Sequence, residues 1–150
     1  MSNFYLEYRF TIPIPSKELL DKAVNLLSLA NDYWDVEGEE ALIRKTKLSN
    51  VFCDFEEYEE LGFDWHTIEV GDKFSLEISG EENGNVQHAM DLIGWLLPDL
   101  DVESVGFSYA YYGSSDIGGG AVLVTKDPSG KIKYDSIDTA DWLRGKLREH

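Results

Sequence analysis

FYLEYRFTIPIPS, residues 4–16, is the stretch that decides the fold. Aromatic and aliphatic residues alternate with polar ones from Tyr5 to Ile12, which is the pattern of a β-strand with one buried face. The two prolines that follow end the strand, because proline cannot donate a hydrogen bond to a neighbouring strand. Ser16 is a favoured N-cap residue, and apolar residues recur at helical spacing after it as far as about Tyr33. This stretch therefore predicts a strand followed directly by a helix.

The remaining patterns extend this order of strands and helices. They predict an acidic turn at residues 35–40, a strand at 41–52, an acidic aromatic connection at 54–65, one strand or a bent pair at 67–79, a loop at 81–85, a helix at 86–97, strands at 102–112 and 121–126, a turn at 127–130, a short strand at 132–134 and a last helix that starts at 138–141. The order β-α-β-β-α-β favours an α+β fold with a mainly antiparallel sheet and helices packed on one face. We expect a ferredoxin-like βαββαβ core with a C-terminal hairpin and helix, in a single domain over residues 1–150.

Composition and charge restrict the class of partner. The 150 residues include one cysteine, Cys53, which excludes an internal disulfide. The sequence has neither the pattern of a signal peptide nor an apolar run long enough to span a bilayer, which predicts a soluble cytoplasmic protein. The net charge is −16, and 19 of the 29 acidic side chains lie between Asp35 and Glu103 together with four basic ones. Such a field disfavours direct binding to nucleic acid or anionic membrane and attracts basic proteins or metal cations.

The segment YYGSSDIGGGAVLV, residues 111–124, has the glycine spacing of a phosphate-binding loop between Gly113 and Gly118. It lacks the lysine of such loops, and the residues after the glycines predict a strand instead of a helix whose N-terminus would face the phosphate. The three glycines therefore indicate a bulge, a tight turn or a close approach between two strands. One alternative stays open, namely a small ligand-binding domain with its pocket beside this triple-glycine turn.

The candidate catalytic and metal-binding residues form no recognisable signature. His66, His88 and Cys53 belong to no Ser-His-Asp or Cys-His arrangement, and Cys53 lies between phenylalanines as a buried thiol does. The alternating carboxylates at residues 99–103 resemble the start of a calcium loop, but the glycine and distant glutamate of an EF-hand are missing. We therefore predict a non-enzymatic protein without catalytic residues, cofactor or metal site.

The strongest functional candidate is the acidic aromatic segment VFCDFEEYEELGFDW, residues 51–65, in which five aromatic and six acidic residues alternate without a base. If residues 56–60 form a helical turn, Glu56, Glu59 and Glu60 share one face, and their repulsion would be relieved by a basic partner. Aromatic side chains would anchor that partner. The alternative is that the aromatics belong to the core and the carboxylates form a solvated face. The predicted partner-binding residues are Asp54, Glu56, Glu57, Tyr58, Glu59, Glu60, Asp64 and Trp65.

A basic partner is consistent with two classes of non-enzymatic protein. Small acidic proteins of phages and mobile elements inhibit nucleic-acid-binding host proteins such as nucleases or defence complexes, in some cases by mimicking the charge of DNA. Acidic immunity proteins or antitoxins neutralise nuclease toxins. The sequence favours the first class as the prediction and keeps the second as the alternative.

The C-terminal part of the chain resembles a known group of proteins. FSYA at residues 107–110, IGGGAVLVT at 117–125 and TADWL at 139–143 look like the end of small uncharacterised phage- and plasmid-encoded α+β proteins, which carry a strand, a Gly-Gly-Gly-Ala-Val turn and strand, and a short helix containing tryptophan. The resemblance covers about the last 45 residues. It implies an origin in a mobile element and an α+β fold, and it supplies no catalytic residues.

Overall fold

The computed structural model describes residues 5–81, 84–113 and 117–148. Its strands are β1 (Tyr5–Ile14), β2 (Asp64–Val70), β3 (Lys73–Gly80), β4 (Ser104–Tyr112), β5 (Ile117–Lys126) and β6 (Ile132–Asp138). Its helices are α1 (Lys17–Asn31), α2 (Gly38–Ser49), α3 (Phe55–Tyr58), α4 (Val86–Leu96) and α5 (Thr139–Arg148). Short 3₁₀ turns lie at Tyr33–Asp35 and Leu97–Asp99. None of the helices in these ranges is long and apolar enough to cross a membrane.

The six strands form one antiparallel sheet in the order β2-β3-β1-β4-β5-β6. Because β1 lies between β3 and β4, these two strands run parallel to each other, and α4 connects them. β1 and β2 lie on either side of β3, so these two strands also run parallel to each other, and the segment that holds α1 connects them. These two interleaved units form the ferredoxin-like core, and β5 and β6 extend the sheet beyond β4. The predicted α+β fold with a mainly antiparallel sheet is therefore confirmed.

The core lies between one face of the sheet and helices α1 and α4. Every second residue from Tyr8 to Ile14 is buried, because alternate side chains of a strand point to the same face. Phe10 of β1 stacks on Phe107 of β4 with ring centroids 4.5 Å apart. Burying an aliphatic or aromatic side chain of this size stabilises the fold by roughly 1.5–3 kcal/mol. The fully buried large side chains are Phe52, Phe55, Ile12, Leu20, Leu27, Leu48, Leu76, Ile78, Leu92, Ile93, Leu96 and Leu97.

Several boundaries agree with the sequence-based prediction because local chemistry sets them. The Ser16 hydroxyl accepts a hydrogen bond from the backbone N–H of Leu19 at 3.2 Å, which caps α1. Gly71 has a φ of 60° in the turn that splits residues 64–80 into β2 and β3. In the turn after β5, the Asp127 carboxylate accepts hydrogen bonds from the backbone N–H groups of Ser129 and Lys131, each at 2.9 Å.

The strand predicted at residues 41–52 is wrong, because most of this segment belongs to helix α2, which begins at Gly38. The acidic turn predicted at 35–40 is divided between a 3₁₀ turn and the start of α2. The segment is rich in alanine, leucine, glutamate and lysine, which favour helices. A salt bridge of 3.1 Å joins Glu40 to Arg44, one helical turn apart. Leu48 is buried while Leu42 and Ile43 are exposed. The apolar residues therefore do not show the spacing of a helix with one buried face.

The triple-glycine turn is also a wrong prediction, because Gly118, Gly119 and Gly120 lie inside β5 and pair with residues 109–111 of β4. Strand β5 therefore begins at Ile117 instead of Ala121, and β6 continues to Asp138 instead of ending at Tyr134. Of the earlier interpretations, the close approach between strands is the one that fits. The segment before the glycines, residues 114–116, and the side chains of residues 140–144 lie outside the described part of the chain.

Candidate functional site

An open groove of about 400 Å³ lies where the end of α1, the loop before β2 and the end of β3 meet. We call it the acidic groove. Its lining residues are Ala30, Asn31, Trp34, Glu59, Glu60, Leu61, Gly62, Phe63, Asp64, Ser79 and Glu81. The groove therefore combines four carboxylates with one tryptophan on a surface that solvent can reach.

Trp34 is held at the groove by packing on its neighbours. It lies in the 3₁₀ turn after α1, and 69% of its surface is exposed. Its ring packs edge-on against Tyr33, with centroids 5.4 Å apart, and Tyr33 packs edge-on against the buried Phe55 at 5.5 Å. Such edge-to-face pairs favour one ring orientation. The exposed indole is thus held in place by the aromatic cluster that also packs α3 against the rest of the protein.

The carboxylate of Glu59 already has two partners inside the protein. It accepts hydrogen bonds from Lys45 Nζ at 3.1 Å and from the Tyr33 hydroxyl at 3.4 Å. The hydrogen bond to Glu59 raises the pKa of Lys45, so this ammonium group stays charged at neutral pH. Glu59 also ends α3 in a left-handed conformation with a φ of 55°. This residue therefore shapes the groove and has less free charge to offer a partner.

The loop between α3 and β2 is fastened to the start of α4. The Gly62 carbonyl accepts a hydrogen bond from the backbone N–H of Asn85 at 3.0 Å. Gly62 has a φ of 73°, and a Cβ on it would lie 2.5 Å from the Cβ of Asn85, so glycine is required there. The fully buried His88 holds the preceding Leu61 carbonyl with its ring Nδ1 at 3.0 Å. Two contacts from α4 thus fix the loop that carries Glu60.

Three carboxylates of the groove have no cation beside them in the described part of the chain. Glu60, Asp64 and Glu81 are exposed, and no lysine, arginine or histidine lies within 4.0 Å of them among the residues that the structure describes. Like charges collected on one surface repel each other and attract a cation from outside. The arrangement therefore favours a positively charged side chain beside the exposed indole.

The groove can receive the long side chain of a lysine or arginine. Over residues 5–81, 84–113 and 117–148, no three His, Cys, Asp or Glu side chains come close enough together to hold a metal ion. A lysine or arginine side chain is long enough to reach several carboxylates and to rest its methylene groups on a tryptophan ring.

The predicted site residues separate into three groups. Glu59, Glu60 and Asp64 line the acidic groove. Trp65 pairs with the buried Ile78 and is half-buried on the helix-covered face, so it packs in the core region and does not face the groove. The remaining four lie at α3, outside the groove lining: Asp54, Glu56, Glu57 and Tyr58.

The shared helical face expected for Glu56, Glu59 and Glu60 is not present. Helix α3 ends at Tyr58, and the left-handed Glu59 redirects the chain before Glu60. Glu56 and Glu57 therefore remain exposed on α3, and Glu60 belongs to the following loop. The prediction failed because it assumed that the helical turn continues through Glu60.

The sequence-based prediction missed the tryptophan of the groove, Trp34, and one of its four carboxylates, Glu81. Trp34 lies within NDYWD at residues 31–35, which has the same mixture of acidic and aromatic residues as the segment at 51–65. That composition was a usable signal. Glu81 follows β3 and reaches the groove through the pairing of Ser79 with Asp64, a contact that no local pattern indicates.

The candidate nucleophile Cys53 is not activated. Cys53 is exposed, so the expectation of a buried thiol is wrong. Desolvation by the surrounding protein, assisted by hydrogen bonding to Asp91, raises the pKa of its thiol to about 11, so the thiol is protonated at neutral pH. The Asp91 carboxylate is engaged by the backbone N–H of Cys53 at 3.0 Å and by Gln87 at 2.9 Å. This environment is the opposite of the electropositive surroundings that make a cysteine reactive.

The space beside the glycines of β5 is filled by tyrosine rings. A Cβ on Gly118 would lie 2.5 Å from the hydroxyl oxygen of Tyr111, and one on Gly120 would lie 2.4 Å from that of Tyr109. Both hydroxyls donate hydrogen bonds to the carboxylate of Asp138, at 3.3 and 3.2 Å. The glycines thus admit two side chains of the protein itself on this face of the sheet.

Comparison with protein-family models, curated proteins and solved structures finds no match to this chain. The resemblance of the C-terminal segment to phage- and plasmid-encoded proteins therefore stays a prediction. The function has to be argued from the chemistry of the groove and the distribution of charge.

Proposed function

We propose that this protein is a non-enzymatic acidic binding protein that inhibits a basic, nucleic-acid-binding host protein, as the proteins of phages and mobile elements do. One observation carries the proposal: three exposed carboxylates, which have no cation beside them among the residues that the structure describes, lie in the same groove as an exposed tryptophan. The acidic groove receives a lysine or arginine side chain of the partner. The proposed place of action is the cytoplasm, where host nucleases and defence complexes work.

The chemistry of the groove fits this partner. A guanidinium or ammonium group over the Trp34 ring contributes roughly 0.5–1 kcal/mol at an exposed site and more once the contact excludes water. Glu60 and Asp64 would supply charge-assisted hydrogen bonds to the same cation. Because exposed charges are screened by salt, the affinity of the complex should fall as ionic strength rises.

The distribution of charge supports the same proposal at longer range. The excess of acidic residues lies in the middle of the sequence, which includes the groove loop and the exposed face of α3. An electrostatic field of one sign accelerates association with a partner of the opposite sign by 10-fold to 1,000-fold. The residues of α3 that lie outside the groove, Glu56 and Glu57, would act in this steering.

An immunity protein or antitoxin for a nuclease toxin uses the same chemistry, since a nuclease also presents a basic surface. The two candidates differ in the identity of the partner and agree on the groove. A ligand-binding domain with a pocket beside the glycines of β5 is less well supported, because Tyr109 and Tyr111 occupy the space next to Gly120 and Gly118.

Capture from host lysate by the tagged protein, with mass spectrometry of the captured proteins, tests the proposal. We expect nucleic-acid-binding proteins with basic surfaces to be captured by the wild type and lost from the triple variant Glu60→Lys, Asp64→Lys, Glu81→Lys. The matched control changes three exposed acids outside the groove lining by the same charge: Glu39→Lys, Asp72→Lys, Asp101→Lys.

The two triple variants distinguish binding in the groove from attraction by the net charge of the protein. Retention by the control and loss by the groove variant supports the proposal. Equal loss from both would mean that net charge alone captures these proteins, which contradicts a specific groove. Capture of no basic protein by the wild type would contradict the function itself.

A further inference from the structure

Strand β6 is an edge of the sheet with nearly its whole length exposed. It pairs with β5 on one side, and no further strand lies on its other side in the part of the chain that the structure describes. Residues 133–137 are all exposed, including 46% of Tyr134 and 55% of Ile137. An edge strand presents a row of unpaired N–H and C=O groups to which another strand can bind.

The charges along β6 distinguish this edge from the rest of a strongly acidic molecule. Residues 126–138 contain three lysines and three aspartates, so this segment is neutral while the whole chain carries −16. The opposite edge, β2, carries Asp64 and Glu69 and contains no lysine or arginine. β6 itself carries one lysine and two aspartates, so with the lysines of the preceding turn a second copy of the chain meets less electrostatic repulsion at β6 than at β2.

The order of charges in β6 is complementary to itself. Lys133 and Asp135 lie on the open face of the sheet, since they pair with Thr125 and Leu123 of β5, whereas Tyr134 pairs with the buried Val124 and lies on the helix-covered face. An antiparallel pair of β6 strands centred on Tyr134 would place Lys133 opposite Asp135 of the partner subunit, twice by symmetry. Opposite charges in such positions stabilise an antiparallel pair.

We propose that the protein forms a two-fold symmetric dimer through antiparallel pairing of β6, with Tyr134 at the axis, so that two six-stranded sheets become one continuous sheet. The register centred on Asp135 would instead set this carboxylate opposite its own copy, where like charges destabilise the pair. Because the contact is one strand wide, the dimer is weak, with a dissociation constant on the order of 100 µM. The inference does not depend on the proposed function.

Sedimentation velocity of variants with exchanged charges tests the dimer. Protein concentrations up to about 1 mM lie well above the dissociation constant expected for it. Lys133→Asp and Asp135→Lys each place like charges opposite each other, and each should weaken self-association about tenfold or more. A mixture of the two variants restores both complementary pairs, so the mixed dimer should be about tenfold or more tighter than the dimer of either variant alone. Lys73→Asp, an exposed change on β3, is the matched control and should dimerise like the wild type.

The mixing experiment gives a clear result in either direction. A mixed dimer that is tighter than the dimer of either single variant supports the proposed register. A wild type that stays monomeric at about 1 mM overturns the proposal, and Lys133 would then act as a charged residue that prevents pairing at the edge. Single variants that dimerise as tightly as the wild type, or a mixture that associates no more tightly than the single variants, also overturn it. Circular dichroism of each variant establishes that it is folded.

Discussion

Individual side chains secure the ends of elements in this protein, and Lys126 is the clearest case. Its ammonium group donates hydrogen bonds to the backbone carbonyls of Leu97 at 3.0 Å and Leu100 at 2.7 Å. These carbonyls lie in the 3₁₀ turn that follows α4 and just after it. A cation at this position satisfies carbonyl groups that a helix end leaves without partners. Lys126 thereby ties β5 to the end of α4.

Replacing Lys126 with methionine should lower the free energy of unfolding by about 1.5–3 kcal/mol, because hydrogen bonds from a charged group to two carbonyls are lost. The measurement is urea denaturation followed by circular dichroism. The control is Lys73→Met, which removes a lysine exposed on β3 and should change stability by less than about 0.5 kcal/mol. Equal effects of the two substitutions would contradict the role of Lys126.

The reactivity of the Cys53 thiol at different pH values tests the local environment that the structure gives this side chain. Its raised pKa means that the thiolate, which is the reactive form, appears at higher pH in the folded protein than in the unfolded chain. The rate of alkylation by iodoacetamide should therefore rise with a midpoint at about pH 11. Asp91→Asn should shift that midpoint to lower pH, because it removes a neighbouring negative charge. A midpoint near pH 9 in the wild type would be inconsistent with the structure.

Among the elements, the pairing of β4 with β5 shows that the glycines of residues 118–120 do mark a special backbone geometry, but within a strand instead of in a turn. The three glycines were correctly linked to backbone geometry, but they lie within a strand, and two of them, Gly118 and Gly120, lie under the rings of Tyr111 and Tyr109. Glycine normally weakens a strand, since it has no side chain to pack. Here it makes room for the rings that connect β4 to Asp138.

Substituting Gly120 with alanine should be destabilising by roughly 1–3 kcal/mol, the range for an overpacked site. The new Cβ would lie 2.3 Å from the Ile137 carbonyl oxygen, a backbone atom that cannot move aside alone. Gly145→Ala provides the opposite control, because nothing lies within 4 Å of that position in α5 and alanine favours helices by about 1 kcal/mol. Thermal unfolding of both variants should show changes of opposite sign. Stabilisation by Gly120→Ala would refute the close packing.

The elements that sequence predicted correctly are those with a complete local pattern. β1 alternates over its whole length, and α1 and α4 combine apolar faces with Ser16 and Asn85 as N-caps. Helix α2 could not be recognised because most of its surface is exposed and only Leu48 is buried. The groove was partly predicted, since Glu59, Glu60 and Asp64 are close in sequence. Trp34 and Glu81 join them through the packing of Tyr33 and the pairing of β2 with β3.

For the whole molecule, the net charge of −16 sets the balance between solubility, partner binding and stability. Few of the carboxylates are paired: among the described residues, six salt bridges join a lysine or arginine to a carboxylate, most of them exposed. Exposed pairs contribute little, so the repulsion among the remaining acids dominates the electrostatic part of stability. The folded chain is thus held together by its core against its own charge.

This balance predicts that salt stabilises the folded protein. Raising ionic strength from 0.01 to 0.15 M shortens the Debye length from about 30 to about 8 Å and screens the repulsion among carboxylates. The melting temperature should rise by about 2–4 °C, which corresponds to about 1 kcal/mol for a chain of this size. Scanning calorimetry at a series of sodium chloride concentrations measures this effect. A melting temperature that falls with salt would show that attractive ion pairs outweigh repulsion.

Binding of a basic side chain beside Trp34 in the acidic groove can be followed by NMR titration. A short arginine-rich peptide is added to the isotope-labelled protein at low ionic strength, and the indole signal of Trp34 is assigned with Trp34→Phe. We expect this indole and the backbone amides of Glu60 to Asp64 to shift together with one dissociation constant. Shifts confined to Glu56 and Glu57, or spread evenly over all acidic segments while the Trp34 indole stays in place, would contradict it.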